Sequence, residues 1–219
     1  MRIKRPKSID NILHSGEYTE LIGASSGKAV VLLSGGIDST VALVLAKKSG
    51  LEVIGLEFSY EGRPSKETNM VDKICELTNT ELYTVSYPAP VRKISSEKVE
   101  ISESNTLYFS IAGGFAHANN IKYIIAGPIL NDWINTQDER ASPKHYKTLN
   151  ELLKREYLQN PPKIITPLIY LNKVEVVRIG LSIGTPLHLT HSCPHSSEAP
   201  CGKCAQCIER EEAFSKVNN

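Results

Sequence analysis

Short apolar runs alternate with amphipathic segments along most of the chain. The first run, Lys28–Leu33, is apolar after its first residue and β-branched at its centre, which predicts a strand buried on both faces. Further strands are predicted at residues 51–60, 81–87, 122–129 and 163–169. Helices are predicted at residues 40–49, 66–79, 105–120, 146–159, 172–180 and 205–214. This alternation predicts an α/β fold, a parallel sheet with helices on both faces.

Polar and turn-forming residues divide the chain into three predicted parts. Residues 1–27 are polar and precede the first strand, so they are predicted to form an N-terminal extension. Residues 28–145 are predicted to form the main α/β domain, and residues 146–219 a small C-terminal helical lobe. The polar segment 131–143 is predicted to be a long loop within the main domain.

Composition and charge narrow the class of protein. The 219 residues are 41% hydrophobic and 22% charged, which is typical of a globular protein. The 25 basic and 24 acidic residues give a net charge of +1, so the charge balance does not favour direct nucleic-acid binding. No apolar run approaches the roughly 20 residues of a membrane span, and the basic start lacks the apolar stretch of a secretory signal. We therefore expect a cytoplasmic protein with no membrane partner.

A candidate phosphate-binding loop follows the first strand, with the sequence Ser34-Gly35-Gly36-Ile37-Asp38-Ser39-Thr40. Glycines let the backbone turn sharply, and the first amides of a following helix carry partial positive charge. Together they form a cradle for an anion, to which the three hydroxyl groups can add donors. Asp38 suits such a site if a divalent cation accompanies the phosphates or if its carboxylate orients the loop. The alternative is a tight turn in which Ser or Asp caps the helix.

The full string resembles the PP-loop of the ATP pyrophosphatase superfamily. Its members share an adenine nucleotide α-hydrolase-like fold and cleave ATP between the α- and β-phosphates, leaving an adenylated oxygen. The resemblance implies that Ser34, Asp38 and Ser39 act in catalysis, and it places the adenine near residues 56–58. It implies nucleotide binding by Leu33, Ser34, Gly35, Gly36, Ile37, Asp38, Ser39, Thr40, Val41, Ala42 and Leu43.

A cluster of cysteines near the end of the chain predicts a metal site. Four of the five cysteines fall within fifteen residues, as Cys193, Cys201, Cys204 and Cys207. Four thiolates complete a tetrahedral Zn²⁺ site and leave no open position, so one structural zinc per chain is predicted. His191 and His195 are rival ligands, and an iron–sulfur cluster is the alternative cofactor. The fifth cysteine, Cys75, occupies an apolar position of a helix and is predicted to be a core residue.

The combination of both motifs resembles the 7-cyano-7-deazaguanine synthases of queuosine and archaeosine biosynthesis. The resemblance covers residues 28–214, and its most specific part is Ser192-Cys193 followed by Pro200-Cys201-Gly202-Lys203-Cys204-x-x-Cys207. It implies a ligase that converts 7-carboxy-7-deazaguanine and ammonia to the nitrile. The route would run through an adenylated acid and an adenylated amide. It would consume two ATP, require Mg²⁺, and release AMP and pyrophosphate. The family also implies a homodimer.

Substrate residues are carried over from the same resemblance. Arg63 and Arg140 are candidates for the substrate carboxylate or the phosphates, because guanidinium groups match both geometrically. Asp138 is a candidate for the guanine-like edge, and Asn105 also matches a family motif. Each arginine could instead be an ordinary surface residue.

The sequence departs from the family pattern in three segments, 61–64, 102–104 and 137–139, and in its extension before the first strand. Ligands bind at the ends of strands in open α/β sheets, so these changes bear on the substrate. Three alternatives therefore stay open. They are a PP-loop enzyme for tRNA thiolation or amidation, an enzyme that joins a deazaguanine carboxylate to another amine, and a non-catalytic nucleotide-binding adaptor.

Overall fold

The computed structural model describes residues 12, 18–60, 65–87, 105–135, 137–195 and 199–218. Its strands are β1 (Lys28–Leu33), β2 (Glu52–Tyr60), β3 (Glu81–Tyr87), β4 (Tyr123–Ile125) and β5 (Lys163–Ile165). Its helices are α1 (Thr19–Ile22), α2 (Ile37–Lys48), α3 (Ser65–Leu77), α4 (Asn105–Ala118), α5 (Leu130–Ile134), α6 (Pro143–Glu156), α7 (Lys173–Ser182) and α8 (Ala205–Asn218). Two 3₁₀ turns lie at Glu139–Ala141 and Leu187–Leu189. No helix in these ranges is long and apolar enough to cross a membrane.

The described strands form one parallel sheet in the order β3-β2-β1-β4-β5. The chain adds β2 and β3 on one side of β1 and then returns to add β4 and β5 on the other. The strand order therefore reverses between β1 and β4. A crevice opens at the carboxyl ends of the strands at such a point, and this is where open α/β sheets bind ligands.

Side chains of β1 alternate between two hydrophobic cores, as expected for a strand covered on both faces. Val31 and Leu33 pack against a core formed with α2, α3, α7 and α8, whereas Val30 packs against a second core formed with α4 and α6. Cys75 is buried in the first of these cores, and burial raises the pKa of its thiol to about 11. The predicted α/β fold with helices on both faces is confirmed.

Several element boundaries differ from the prediction. The first long helix begins at Ile37 rather than Thr40, because Gly36 is extended and acts as the N-cap. Segment 131–143, predicted to be a loop, contains most of α5 and a 3₁₀ turn. Helix α7 has the predicted cap, since the Asn172 side chain accepts the N–H of Glu175 at 3.0 Å.

The predicted division at residue 145 stays a prediction. The segment after it supplies β5, which pairs with β4 in the same sheet, and α7 and α8, which pack on one of the two cores. Residues 146–219 are thus joined to residues 28–145 through sheet and core. Most of the predicted extension, residues 1–11 and 13–17, lies outside the described residues.

Candidate active site and metal centre

The loop after β1 has the shape of an anion cradle. Gly35 adopts a positive φ of 82°, and the hydroxyl groups of Ser34 and Ser39 lie 3.1 Å apart across the turn. The N–H of Thr40 makes the first backbone bond of α2, to the carbonyl oxygen of Gly36. The amides of the three preceding residues come before this first bond and form the positive end of the helix.

The end of β4 supports this loop at very short range. A Cβ atom added to Gly127 would lie 2.6 Å from both the carbonyl carbon and the carbonyl oxygen of Asp38, and 2.8 Å from the nitrogen of Ser39. All three atoms belong to the backbone of the first turn of α2. Only glycine permits this approach, so Gly127 fixes the loop against the sheet.

Asp38 forms a partly buried ion pair with a lysine far away in the sequence. Its Oδ2 lies 2.6 Å from Nζ of Lys173, whose side chain is only 12% exposed. Burial alone would lower the pKa of Lys173, but the charge and hydrogen bond of Asp38 raise it, so the lysine is a cation. The other oxygen, Oδ1, is buried and has no hydrogen-bond partner among the described residues. Asp38 therefore has one carboxylate oxygen held by Lys173 and one buried oxygen without a hydrogen-bond partner among the described residues.

A cleft of about 460 Å³ opens beside the loop at the carboxyl ends of β1, β2 and β4. Its aromatic wall includes Phe58 and Tyr108, whose ring centroids are 4.8 Å apart. Polar side chains face it from the loop and from the opposite side: Ser34, Asp38, Ser39, Asn105, Asp132 and Tyr146. A larger cavity of about 920 Å³ runs along β5, and none of the predicted site residues lines it. The smaller cleft is therefore the candidate active site.

Asp132 lies between this cleft and a second cavity of about 240 Å³ on the other side of the loop. Desolvation raises the pKa of Asp132 to about 6, helped by the negative charge of Asp38 and opposed by the Ile129 N–H that its Oδ2 accepts at 2.8 Å. Two carboxylates close enough to repel each other favour a cation between or beside them. The sequence analysis did not identify Asp132.

The four clustered cysteines meet in space. Their Sγ atoms all lie within 4.8 Å of one another, and those of Cys201 and Cys207 are 3.9 Å apart. Four sulfurs bonded to one tetrahedral zinc at about 2.3 Å would lie roughly 3.8 Å apart, which fits these distances. Neither rival histidine belongs to this group in the described part of the chain.

The thiols also have the electrostatics of a metal site. Backbone N–H groups of Lys203 and Cys204 lower the pKa of Cys201 to about 6, whereas burial raises the pKa of Cys207 to about 12. The Cys201 thiolate is therefore favoured at neutral pH, and the buried Cys207 thiol ionises when a cation neutralises the added charge. The donor set fits a bound metal ion.

Comparison with known proteins matches the chain to one family model. The model is described as queuosine biosynthesis protein QueC, and it matches residues 28–97 and 90–218. The chain belongs to the QueC family. Its relatives named 7-cyano-7-deazaguanine synthase include one from Campylobacter jejuni, 32% identical over 88% of this chain and 95% of the relative. Another, from Prochlorococcus marinus, is 33% identical over 87% of this chain and 95% of the relative.

A solved structure supports the fold assignment. The U34-tRNA thiolase NcsA from Methanococcus maripaludis, solved with its [4Fe-4S] cluster, superposes with a TM-score of 0.60. The alignment covers 96% of this chain and 72% of the thiolase at 17% sequence identity. Similarity at this level concerns the fold, and it places this QueC family member among proteins with the same arrangement of sheet and helices.

Some of the predicted site residues of this QueC family member line the cleft, and others do not. The loop residues Ser34, Asp38 and Ser39 all line the cleft. Asn105 also lines it, and its Nδ2 donates to the carbonyl oxygen of Arg140 at 2.9 Å and to the hydroxyl of Tyr146 at 3.2 Å.

Two other predicted substrate residues of the QueC pattern bind each other. Nε and Nη2 of Arg140 donate hydrogen bonds to the Asp138 carboxylate, each at 2.9 Å. Neither side chain lines the cleft. The bond lowers the pKa of Asp138 and raises that of Arg140. Arg63 and the divergent segments 61–64 and 102–104 lie outside the described residues.

Lys173 and Glu209 complete the charged network and were not assigned roles from the sequence. Lys173 directly follows the helix cap Asn172, so a cation at the start of a helix was the signal that could have identified it. Glu209 lies with its Oε2 3.6 Å from Nζ of Lys173, and no local pattern marks it.

Proposed function

We propose that the protein is a 7-cyano-7-deazaguanine synthase, which converts 7-carboxy-7-deazaguanine and ammonia to the nitrile and turns ATP into AMP and pyrophosphate. The observation that carries the proposal is the PP-loop at the reversal point of the sheet, which opens directly onto the 460 Å³ cleft. Membership of the QueC family, whose relatives bear this name, supports the choice of substrate.

The chemistry requires activation of an oxygen twice. A carboxylate oxygen is a poor leaving group until ATP converts it to a phosphate ester, after which ammonia displaces AMP to give the amide. A second adenylation, on the amide oxygen, allows the nitrile to form as AMP leaves. The task of the protein in both rounds is to position the reactants and to neutralise the developing charge.

The departing pyrophosphate is assigned to the loop. The free amides at the start of α2 and the hydroxyls of Ser34 and Ser39 would bind its oxygens. Lys173 adds a largely buried positive charge beside the same turn, where it forms an ion pair with Asp38. These donors are fixed before the reaction, so they stabilise charge on the leaving group without reorganisation.

Asp38 and Asp132 would hold Mg²⁺, which would supply positive charge to the phosphate oxygens. The unpartnered Oδ1 of Asp38 and the raised pKa of Asp132 support this role. A divalent cation would bind the Asp38 oxygen, and its charge would lower the pKa of Asp132. The four-cysteine group would hold one structural zinc. Cysteines of an iron–sulfur cluster bind different iron atoms, so sulfurs within 4.8 Å of one another support the single ion.

The planar base would bind against the aromatic wall of the cleft. Phe58 and Tyr108 offer ring faces, and Asn105 and Tyr146 offer polar groups in the same cleft. The altered segment 137–139 adjoins this region, so substrate specificity is the part of the proposal that most needs a test. The homodimer and the cytoplasmic location stay predictions.

The test is a product assay with ATP, Mg²⁺, ammonium and 7-carboxy-7-deazaguanine. We expect AMP and pyrophosphate in equal amounts and two ATP consumed for each nitrile, measured by ³¹P NMR and mass spectrometry. Ser39→Ala should abolish turnover, whereas Ser49→Ala at the other end of the same helix should not. ADP as the sole nucleotide product would reject the PP-loop chemistry, and AMP without the nitrile would favour another amine or acid as substrate.

A further inference from the structure

The cysteine centre contacts the phosphate loop through the segment that leads into it. His191 precedes Cys193 by two residues, and its backbone N–H donates to the carbonyl oxygen of Gly35 at 2.9 Å. Gly35 is the loop residue with positive φ, so this bond fixes the turn itself. The position of Cys193 thus sets the position of a donor to the loop.

A second connection leaves the cysteine centre through α8. Cys207 lies in the first turn of this helix, and Glu209 follows it by two residues. Glu209 accepts a hydrogen bond from Asn131 at 2.9 Å with Oε1, and its Oε2 lies 3.6 Å from Nζ of Lys173. Lys173 in turn holds Asp38 of the loop at 2.6 Å. The helix that carries Cys207 is therefore linked to the loop by two ion pairs, Glu209–Lys173 and Lys173–Asp38.

The two connections are tied to each other. Arg210 on α8 donates to the hydroxyl of Thr190 at 2.7 Å and to the carbonyl oxygen of Leu187 at 3.0 Å, both just before His191. A cavity of about 240 Å³ lies between the loop and these residues, and His191 lines it. The Nε2 atom of His191 is buried without a hydrogen-bond partner among the described residues.

We propose that the metal centre positions the phosphate loop, with Glu209 as a positioning residue, so that zinc binding and phosphate binding strengthen each other. This inference rests on the proposed function for the presence of zinc and for phosphate at the loop. A metal ion that fixes all four cysteines also fixes His191 and Glu209, the two residues that hold Gly35 and Lys173. Thermodynamic linkage requires the effect to be reciprocal, so a nucleotide bound at the loop must raise the affinity for zinc by the same factor.

The experiment measures zinc affinity by competition with a colorimetric chelator at equilibrium. The ligand is α,β-methylene-ATP, which cannot be cleaved at the reacting bond, and AMP serves as the control because it lacks the outer phosphates. We expect the analogue to tighten zinc binding by about five-fold or more, within the usual range of coupling between sites. AMP should have no such effect.

Glu209→Ala should remove most of this coupling while the protein still binds zinc. Glu209→Gln keeps an acceptor for Asn131 but loses the charge beside Lys173, so an intermediate coupling is expected. The matched control is Glu212→Ala on the same helix, because Glu212 bonds the exposed Lys216 and not the loop network. It should keep the wild-type coupling. Zinc bound by the free analogue affects all variants equally, so it does not change the comparison between them.

Calorimetric titration of the analogue separates this inference from the proposed function. Binding of the analogue without any change in zinc affinity would overturn the coupling and leave the proposed function standing. Wild-type coupling in Glu209→Ala would overturn the role of Glu209. Failure of the analogue to bind at all would reject the proposed function together with the inference.

Discussion

The contact between Gly127 and the phosphate loop offers a sharp test of how the site is built. In Gly127→Ala the new methyl group would lie 2.6 Å from two backbone atoms of Asp38 and 2.8 Å from one of Ser39. Ordinary van der Waals contact begins at 3.4 Å, so the strand end and the helix must separate by about 0.8 Å. No side chain can rotate to relieve the clash, because every atom involved belongs to the backbone.

The size of the effect follows from that displacement. Overpacking of a well-packed interior costs about 1–3 kcal/mol of folding free energy. For a protein of this size each kcal/mol lowers Tm by about 2–4 °C. Activity should suffer more than stability, because a misplacement of about 1 Å at a reacting group can reduce the rate about 100-fold. We therefore expect a modest loss in Tm and a loss of AMP formation of about two orders of magnitude.

The assay combines thermal unfolding with the rate of AMP release, and Gly114→Ala is the matched control. Gly114 lies within α4, where an added Cβ would meet only the hydroxyl of Tyr157 at an ordinary 3.5 Å. Alanine there should raise stability by about 0.5–1 kcal/mol through helix propensity and leave turnover unchanged. Wild-type turnover in Gly127→Ala would refute the reasoning that this contact sets the loop.

Three further perturbations test other parts of the structure. Cys204→Ser should lower the zinc content below about one per chain and lower Tm, and metal analysis with unchanged content and melting would contradict the four-thiol site. Asn150→Ala should lower the free energy of unfolding, measured with urea, by about 1–3 kcal/mol. The Asn150 amide bonds both the N–H and the carbonyl oxygen of Ile164 on β5, and alanine would leave both groups without this partner; an unchanged free energy would contradict this role. Because the pKa of Asp132 is raised from 3.8 to about 6 on folding, the folded state binds its proton more tightly, so its contribution to stability should fall as pH rises through that window. Asp132→Asn should remove this slope from unfolding free energies measured between pH 4 and 7, and an unchanged slope would show that Asp132 is not its source.

The sequence was sufficient wherever local pattern and burial agree. Continuous apolar runs such as Lys28–Leu33 predicted strands buried on both faces, and the structure places them in a parallel sheet. The start of α2 was missed by three residues, because the cap depends on the extended backbone of Gly36 rather than on a capping side chain. Helix α5 was missed because it is short, with Asp132 closing its first turn onto Ile129.

The charged part of the site could not be read from the sequence for a different reason. The loop motif records Asp38, but its partners come from α5, α7 and α8, and Lys173 lies 135 positions away along the chain. Contacts of this separation depend on how the elements pack, which local patterns do not encode. Loop residues could therefore be predicted by motif, whereas the contacts that Asp132, Lys173 and Glu209 make around the loop required the fold.

The pairing of Asp138 with Arg140 leaves their predicted substrate roles open to test rather than excluding them. The two side chains are 33% and 55% exposed, and an ion pair between such groups is weak because water screens it. A substrate carboxylate offered in a cleft shielded from water would be a stronger partner for the guanidinium than an exposed neighbour. Asn105, which lines the cleft, donates to the carbonyl oxygen of Arg140 at 2.9 Å, so the backbone of Arg140 lies beside the cleft. Substrate-dependent protection of Arg140 from arginine-specific modification would therefore demonstrate an exchange of partners, and equal modification with and without 7-carboxy-7-deazaguanine would exclude it.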